Sequence, residues 1–160
     1  MDRLDKRILQ ELQRDGGLTN AELAERVGLS ATPCARRVKQ LQEEGIIERH
    51  LVQLNASKLG LKLHALVQIS MDKHTPDRFE HFEAEVKKHP EVTELLLITG
   101  QSADYLLKLV VPDMEHYHDF LLNKITRIEG VADVHSSFIM RHVIDRTALP
   151  LDYMALQSRG

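Results

Sequence analysis

The spacing of apolar residues changes once along this 160-residue chain, and that change most restricts what it can fold into. Up to about residue 45 they recur every three or four positions, as helices require; from about residue 64 they alternate, as strands require. Leu4, Ile8 and Leu12 share one helix face, with Asp2 placed as an N-cap and Asp5 three residues later. Asp15-Gly16-Gly17 stops that helix. Thr19 and Glu22 then have capping-box spacing, and Leu18 with Leu23 fits a hydrophobic staple. Leu23, Ala24 and Val27 line the second helix, which Gly28 ends; Leu29 plugs the turn and Ser30 caps a third helix. Pro33 sits in its first turn, where the missing N–H costs little, and Gly45 ends it after about Glu44. Three short helices with a tight Gly-containing turn read as a helix-turn-helix. The Ile46–Asn55 stretch reads as a strand and linker.

In the second half, Ala65, Val67, Ile69 and Met71 alternate with Gln68 and Ser70 as a strand. Residues 76–89 suit a helix with Phe79, Phe82, Val86 and His89 at helical spacing, and Glu94–Thr99 reads as a strand. Tyr105, Leu107, Leu109 and Val111 form a further strand. Pro112-Asp113 opens a helix with Tyr117, Phe120, Leu121, Ile125 and Ile128 inward, Gly130 ends it, and Val131–Val143 reads as a long last strand. Strand-helix-strand occurs twice. The expected fold class is therefore α+β: an N-terminal helix-turn-helix (winged-helix-like) domain, then a ferredoxin-like βαββαβ domain with an antiparallel sheet. The expected boundaries are 1–50 for the first domain, 51–63 for an extended linker, 64–146 for the second domain and 147–160 for a C-terminal tail. Helices on one face leave the other sheet face open, and Leu66, Leu106 and Val110 on that side suggest a second subunit packed sheet to sheet.

Charge narrows the function. The net charge is -3, while residues 1–55 hold nine Lys/Arg and nine Asp/Glu. No global basic field draws the chain to nucleic acid, so such binding needs a local patch, multiplied by oligomerisation. "GLSATPCARRVKQL" (28–41) supplies one, with Arg36, Arg37 and Lys39 and no acid. At 100° per residue, Cys34, Val38 and Leu41 fall on one stripe; Thr32, Arg36, Lys39 and Gln40 fall opposite, with Arg37 and Pro33 on the flank. The cysteine therefore reads as packing and the basic face as a reading head. Ser30, Thr32, Pro33, Arg36, Arg37, Lys39 and Gln40 are the expected DNA contacts: Thr32 and Arg36 to bases, Arg37 and Lys39 to phosphates.

Apolar runs such as Leu95–Ile98 are far short of the about 20 residues of a membrane helix, so no membrane partner is expected. MDRLDKRIL lacks the pattern of a secretory signal, and a single cysteine suits a reducing cytosol, so a cytoplasmic protein is expected. The nine histidines, all from His50 onward, are spaced as surface groups rather than metal ligands; His135 and His142, seven apart, would lie on opposite faces of the last strand. No catalytic motif appears, so neither an enzyme nor a metal or cofactor is expected.

"LTNAELAERVGLSATPCARRVKQLQEEGIIERHLVQLN" closely resembles the DNA-binding domain of the leucine-responsive/asparagine regulator (Lrp/AsnC, feast/famine) family. "ELLLITGQSADYLLKLVVPDMEHY" and "IEGVADVHSSFIMRHV" resemble its effector-binding and oligomerisation domain. The resemblance implies a transcriptional regulator that binds double-stranded DNA, dimerises through the ferredoxin-like domain and assembles into octamers of four dimers. It also implies a small amino acid effector that changes this assembly. The positions it implies for the effector are Gly100, Ser102, Ala103, Asp104 and Tyr105, with Ser136 and Ser137 on the last strand. The family loop is usually Gly-x-x-Asp-Tyr; here Gly100–Tyr105 is one residue longer. Backbone N–H groups near Gly100 suit a carboxylate, and Asp104 or a serine hydroxyl suits an ammonium; as an alternative, Asp104 only caps backbone groups of a hairpin. Apolar neighbours (Ala103, Leu95–Ile98, Phe138) favour leucine or methionine as effector. The competing expectation is an architectural DNA-binding protein without ligand control.

Overall fold

The computed structural model describes residues 1–100 and 103–154, which form two compact units: Met1–Gln53 with the chain from Ile144 onward, and Leu54–Val143.

The first unit is built on α1 (Arg3–Arg14), α2 (Asn20–Val27) and α3 (Ala31–Glu43). The Asp2 carboxylate accepts from the N–H groups of Leu4 and Asp5, and Asp5 accepts from the Asp2 N–H at 2.8 Å. Thr19 and Glu22 close the expected reciprocal box on α2. Gly28 takes φ 74°, a left-handed conformation that costs other residues more, and the Leu29 N–H returns to the Ala24 carbonyl. Ile8, Leu9, Leu23, Ala24, Val27, Cys34 and Leu41 fill the core between the helices.

Two segments beside this core depart from expectation. Residues 46–55 form no ladder: the Ile46 and Ile47 N–H groups fold back to the Leu41 carbonyl, and the chain beyond runs exposed. Residues 147–154 are no free tail. Leu151 and Met154 pack on the first unit's core, and Leu151–Tyr153 forms a short 3-10 turn. Gln13 on α1 meets the Leu149 backbone twice, accepting its N–H at 2.6 Å and donating to its carbonyl at 3.3 Å. Lys6 pairs with Asp152 at 2.9 Å. An amide side chain that mimics a backbone pair, backed by apolar contact, explains why the segment docks.

The second unit runs β1 (Leu63–Met71), α4 (Pro76–Val86), β2 (Val92–Leu97), β3 (Tyr105–Val111), α5 (Met114–Asn123) and β4 (Val131–Phe138). The sheet order is β2-β3-β1-β4, with all three pairs antiparallel, as in a ferredoxin-like fold. Ala65, Val67 and Ile69 on β1 and Tyr105, Leu107 and Leu109 on β3 are buried with Phe82, Val86, Tyr117 and Phe120 from the helices. Leu66, Leu106 and Val110 lie on the other face, only half-buried.

α5 is shorter than its apolar spacing predicts. It stops at Asn123 and passes into a 3-10 turn, Ile125–Arg127, that still buries Ile125 and Ile128. The Thr126 hydroxyl and the Arg127 guanidinium donate to the Leu122 carbonyl, which satisfies the helix end. β4 is shorter too, because β1 begins at Leu63: Phe138 pairs with Ala65 and the Ile139 N–H reaches the His64 carbonyl, and β1 runs out before the stretch up to Val143. His142 is therefore not on the strand; its ring packs edge-on to His64. Gly130, just before β4, is required: its φ is 99°, and a Cβ there would stand 3.0 Å from Met71. No described helix is long and apolar enough to cross a membrane.

Candidate nucleic-acid interface and effector site

α3 divides its side chains as the helical wheel predicts. Cys34 is fully buried and Leu41 nearly so, and burial pushes the Cys34 thiol pKa up, which makes it a poor nucleophile. Thr32, Arg36, Lys39 and Gln40 are exposed on the opposite face, with Pro33 half-buried beside them. Among the described residues Arg36 makes no hydrogen bond or ion pair. Lys39 reaches Glu43 at 3.6 Å and Gln40 reaches Glu44 at 2.7 Å, both solvent-exposed contacts that an incoming phosphate competes with readily. Ser30 holds the N-cap position through its backbone, without a side-chain cap hydrogen bond, so the first N–H groups of α3 have no side-chain cap.

Arg37 does not match its expected phosphate contact. Its Nη1 lies 2.9 Å from Asp2 Oδ2 and 2.7 Å from Asp5 Oδ1, and its side chain is mostly shielded. It ties α3 to the capped start of α1. The Asp5 backbone N–H and the Arg37 guanidinium together hold the Asp2 carboxyl below its ordinary 3.8. The fold already places the Asp2 and Asp5 carboxylates at contact distance, so a phosphate meets Arg37 only in competition with them.

The effector positions separate in the same way. Gly100 is exposed, and Ser102 lies outside the described residues. Ala103 is nearly buried. Asp104 Oδ2 accepts from the Met71 N–H at 2.7 Å and Oδ1 meets His74 Nε2 at 2.8 Å; its own N–H donates to the Ile69 carbonyl. Tyr105 is 1% exposed, stacks with Phe79 and Phe82, and donates its hydroxyl to Glu83 at 2.9 Å. Burial, then Glu83, push its phenol pKa well up. It is a core residue whose hydroxyl is already engaged by Glu83. Ser136 pairs with Val67 and faces the helices, where its hydroxyl accepts from Tyr117; Ser137 pairs with Leu66 and faces the open side. The two serines therefore stand on opposite faces of the strand.

His74 and Glu83 carry contacts at this site that the sequence did not point to. Each lies more than twenty residues from its partner, and neither sits in a motif; only the folded register brings them together. Asp2 was legible as a cap, but not as a partner for Arg37.

Residues 1–48 match a family model described as a winged helix-turn-helix DNA-binding domain, and residues 64–149 match the Lrp/AsnC ligand binding domain. The leucine-responsive regulatory protein of Salmonella typhimurium is 43% identical over 143 residues, covering 89% of this chain and 87% of that protein. The same-named protein of Escherichia coli K12 is 42% identical over the same span. Among solved structures, a transcriptional regulator of Neisseria meningitidis in complex with L-Met is 40% identical, with a TM-score of 0.93 over 97% of this chain and 99% of that one. An AsnC family transcriptional regulator of Agrobacterium tumefaciens is 42% identical with a TM-score of 0.91, over 97% of this chain and 100% of that one. With its helix-turn-helix and its ligand-binding domain both in place, the chain belongs to the Lrp/AsnC family of DNA-binding transcriptional regulators.

Proposed function

We propose that this regulator acts in the cytoplasm as a two-fold dimer, and as an octamer of four dimers, whose DNA binding responds to a small apolar amino acid, methionine or leucine. The observation that carries the DNA-reading part is the outward face of α3, where Thr32, Arg36, Lys39 and Gln40 stand exposed while Arg37 is tied inward. Thr32 and Arg36 contact base edges in the major groove; Lys39, Gln40 and the open start of α3 at Ser30 and Pro33 contact phosphates. Arg37 positions the helix instead of touching DNA. A near-neutral first unit binds weakly alone, so several linked copies supply the affinity. Half-buried Leu66, Leu106 and Val110 are the surface on which a second copy packs.

The effector part is supported by the complex with L-Met of the Neisseria meningitidis relative and by the leucine-responsive relatives. The groups that meet the ligand here are Gly100 and Asp104 Oδ1, whose present partner His74 is exposed, with Ser137 on the open face; buried Ala103 and Tyr105 hold the frame, as does Ser136. The amino acid shifts assembly by binding one oligomeric state more tightly than another.

Two experiments test this. Footprinting on selected DNA with Arg36→Ala should show a weakened footprint; an undiminished one removes Arg36 from the interface. Equal affinity of the wild-type protein for selected and random DNA would favour the architectural alternative. Sedimentation with and without L-methionine or L-leucine should show a change of oligomer, and no change with either removes the assembly switch.

A further inference from the structure

Asp104 holds two partners of different kinds. Met71, the last residue of β1, donates a backbone N–H to Oδ2, a bond that persists as long as the strand does. His74, between β1 and α4, meets Oδ1 with Nε2 at 2.8 Å. The Asp104 side chain is 18% exposed, whereas that of His74 is 68% exposed. A sheltered carboxylate therefore has one fixed partner and one exchangeable partner standing in water. The imidazole leans edge-on toward Phe79, with ring centroids 6.1 Å apart, so it covers the approach to Oδ1 without being locked in place.

We propose that His74 is a built-in competitor for the effector's ammonium group: it occupies the position on Asp104 Oδ1 that an α-ammonium takes, and thereby sets how much amino acid is needed to fill the site. This rests on the reading that Asp104 receives the ammonium. An ammonium is a compact cation with three donors that seeks a carboxylate oxygen. The backbone closes one side of Asp104 through Met71, and the remaining oxygen carries His74, so the ligand's ammonium competes with the imidazole for the approach to Oδ1. Displacing the imidazole is affordable because His74 recovers water as it leaves. An exposed pair of this type holds affinity down by about three- to fivefold.

Calorimetric titration of the full chain with L-methionine and with L-leucine tests this on four proteins: wild type, His74→Ala, His74→Lys and Asp104→Asn. His74→Ala should bind about three- to fivefold more tightly than wild type. His74→Lys replaces the imidazole with a permanent cation facing Asp104 and should reverse that gain, a reversal that a merely structural role for position 74 would not produce. Asp104→Asn keeps an acceptor for the Met71 N–H and should lose binding. If Asp104→Asn loses binding while His74→Ala is unchanged or weaker, the competitor role is overturned and the reading of Asp104 stands. If Asp104→Asn binds as wild type does, or wild type takes up neither amino acid, the reading fails and this inference with it.

Discussion

Arg36 and Arg37 are neighbours in sequence with opposite surroundings: one faces water, the other donates to Asp2 and Asp5. Removing each should separate stability from recognition. Arg37→Ala leaves two mostly shielded carboxylates without their cation and should lower the unfolding free energy of the first unit by about 1–3 kcal/mol, measured by denaturant titration. Arg36→Ala should leave that titration unchanged and weaken specific DNA binding about tenfold in gel-shift assays, the discrimination typical of one base contact. Asp2 also gives a pH signature. Its carboxyl titrates below its ordinary 3.8 in the folded chain. Its contribution is therefore fully present above that value and is lost as pH falls through the lower folded value. Helical circular dichroism of the wild type should fall in that acid window, and Asp2→Asn should flatten this part of the curve. The helical wheel left Arg37 on the flank of α3, and periodicity alone could not decide its direction. Its carboxylates lie 35 and 32 residues away, a distance that no local pattern spans.

Elements whose two faces differ chemically were legible; their ends were not. The alternation of Ala65, Val67, Ile69 and Met71 placed β1 because one face must be buried under helices. The end of β4 depends on where β1 begins, which is a property of the pair and not of the strand's own residues. α5 likewise stops early, where Thr126 and Arg127 both donate to the Leu122 carbonyl from beyond the helix. The same register separates Ser136 from Ser137. Ser136→Ala should leave the buried Tyr117 hydroxyl without its acceptor and cost about 1 kcal/mol in thermal or denaturant unfolding. Ser137→Ala should cost little in that measurement, because its side chain meets no core group. Equal losses for both would contradict the register.

At the scale of the whole molecule, the second unit presents an apolar sheet face that a monomer leaves partly wet. Leu96 on β2 pairs with Leu106 on β3, so a patch of leucines continues across strands. Leu106→Lys should shift the sedimentation profile toward smaller species while the far-ultraviolet spectrum stays that of the folded chain. DNA affinity should fall with it, since linked reading heads bind more tightly than single ones. The docked segment around Leu149 has a consequence in time. Gln13 and Lys6 precede the whole second unit in the chain, and their partners at Leu149 and Asp152 are synthesised only after β4. The helix-turn-helix unit thus receives its last packing layer after the entire ligand-binding domain has been synthesised. A nascent chain stalled before that point carries the three helices but an unfinished first unit, so the last packing of the helix-turn-helix waits on completion of the whole second unit.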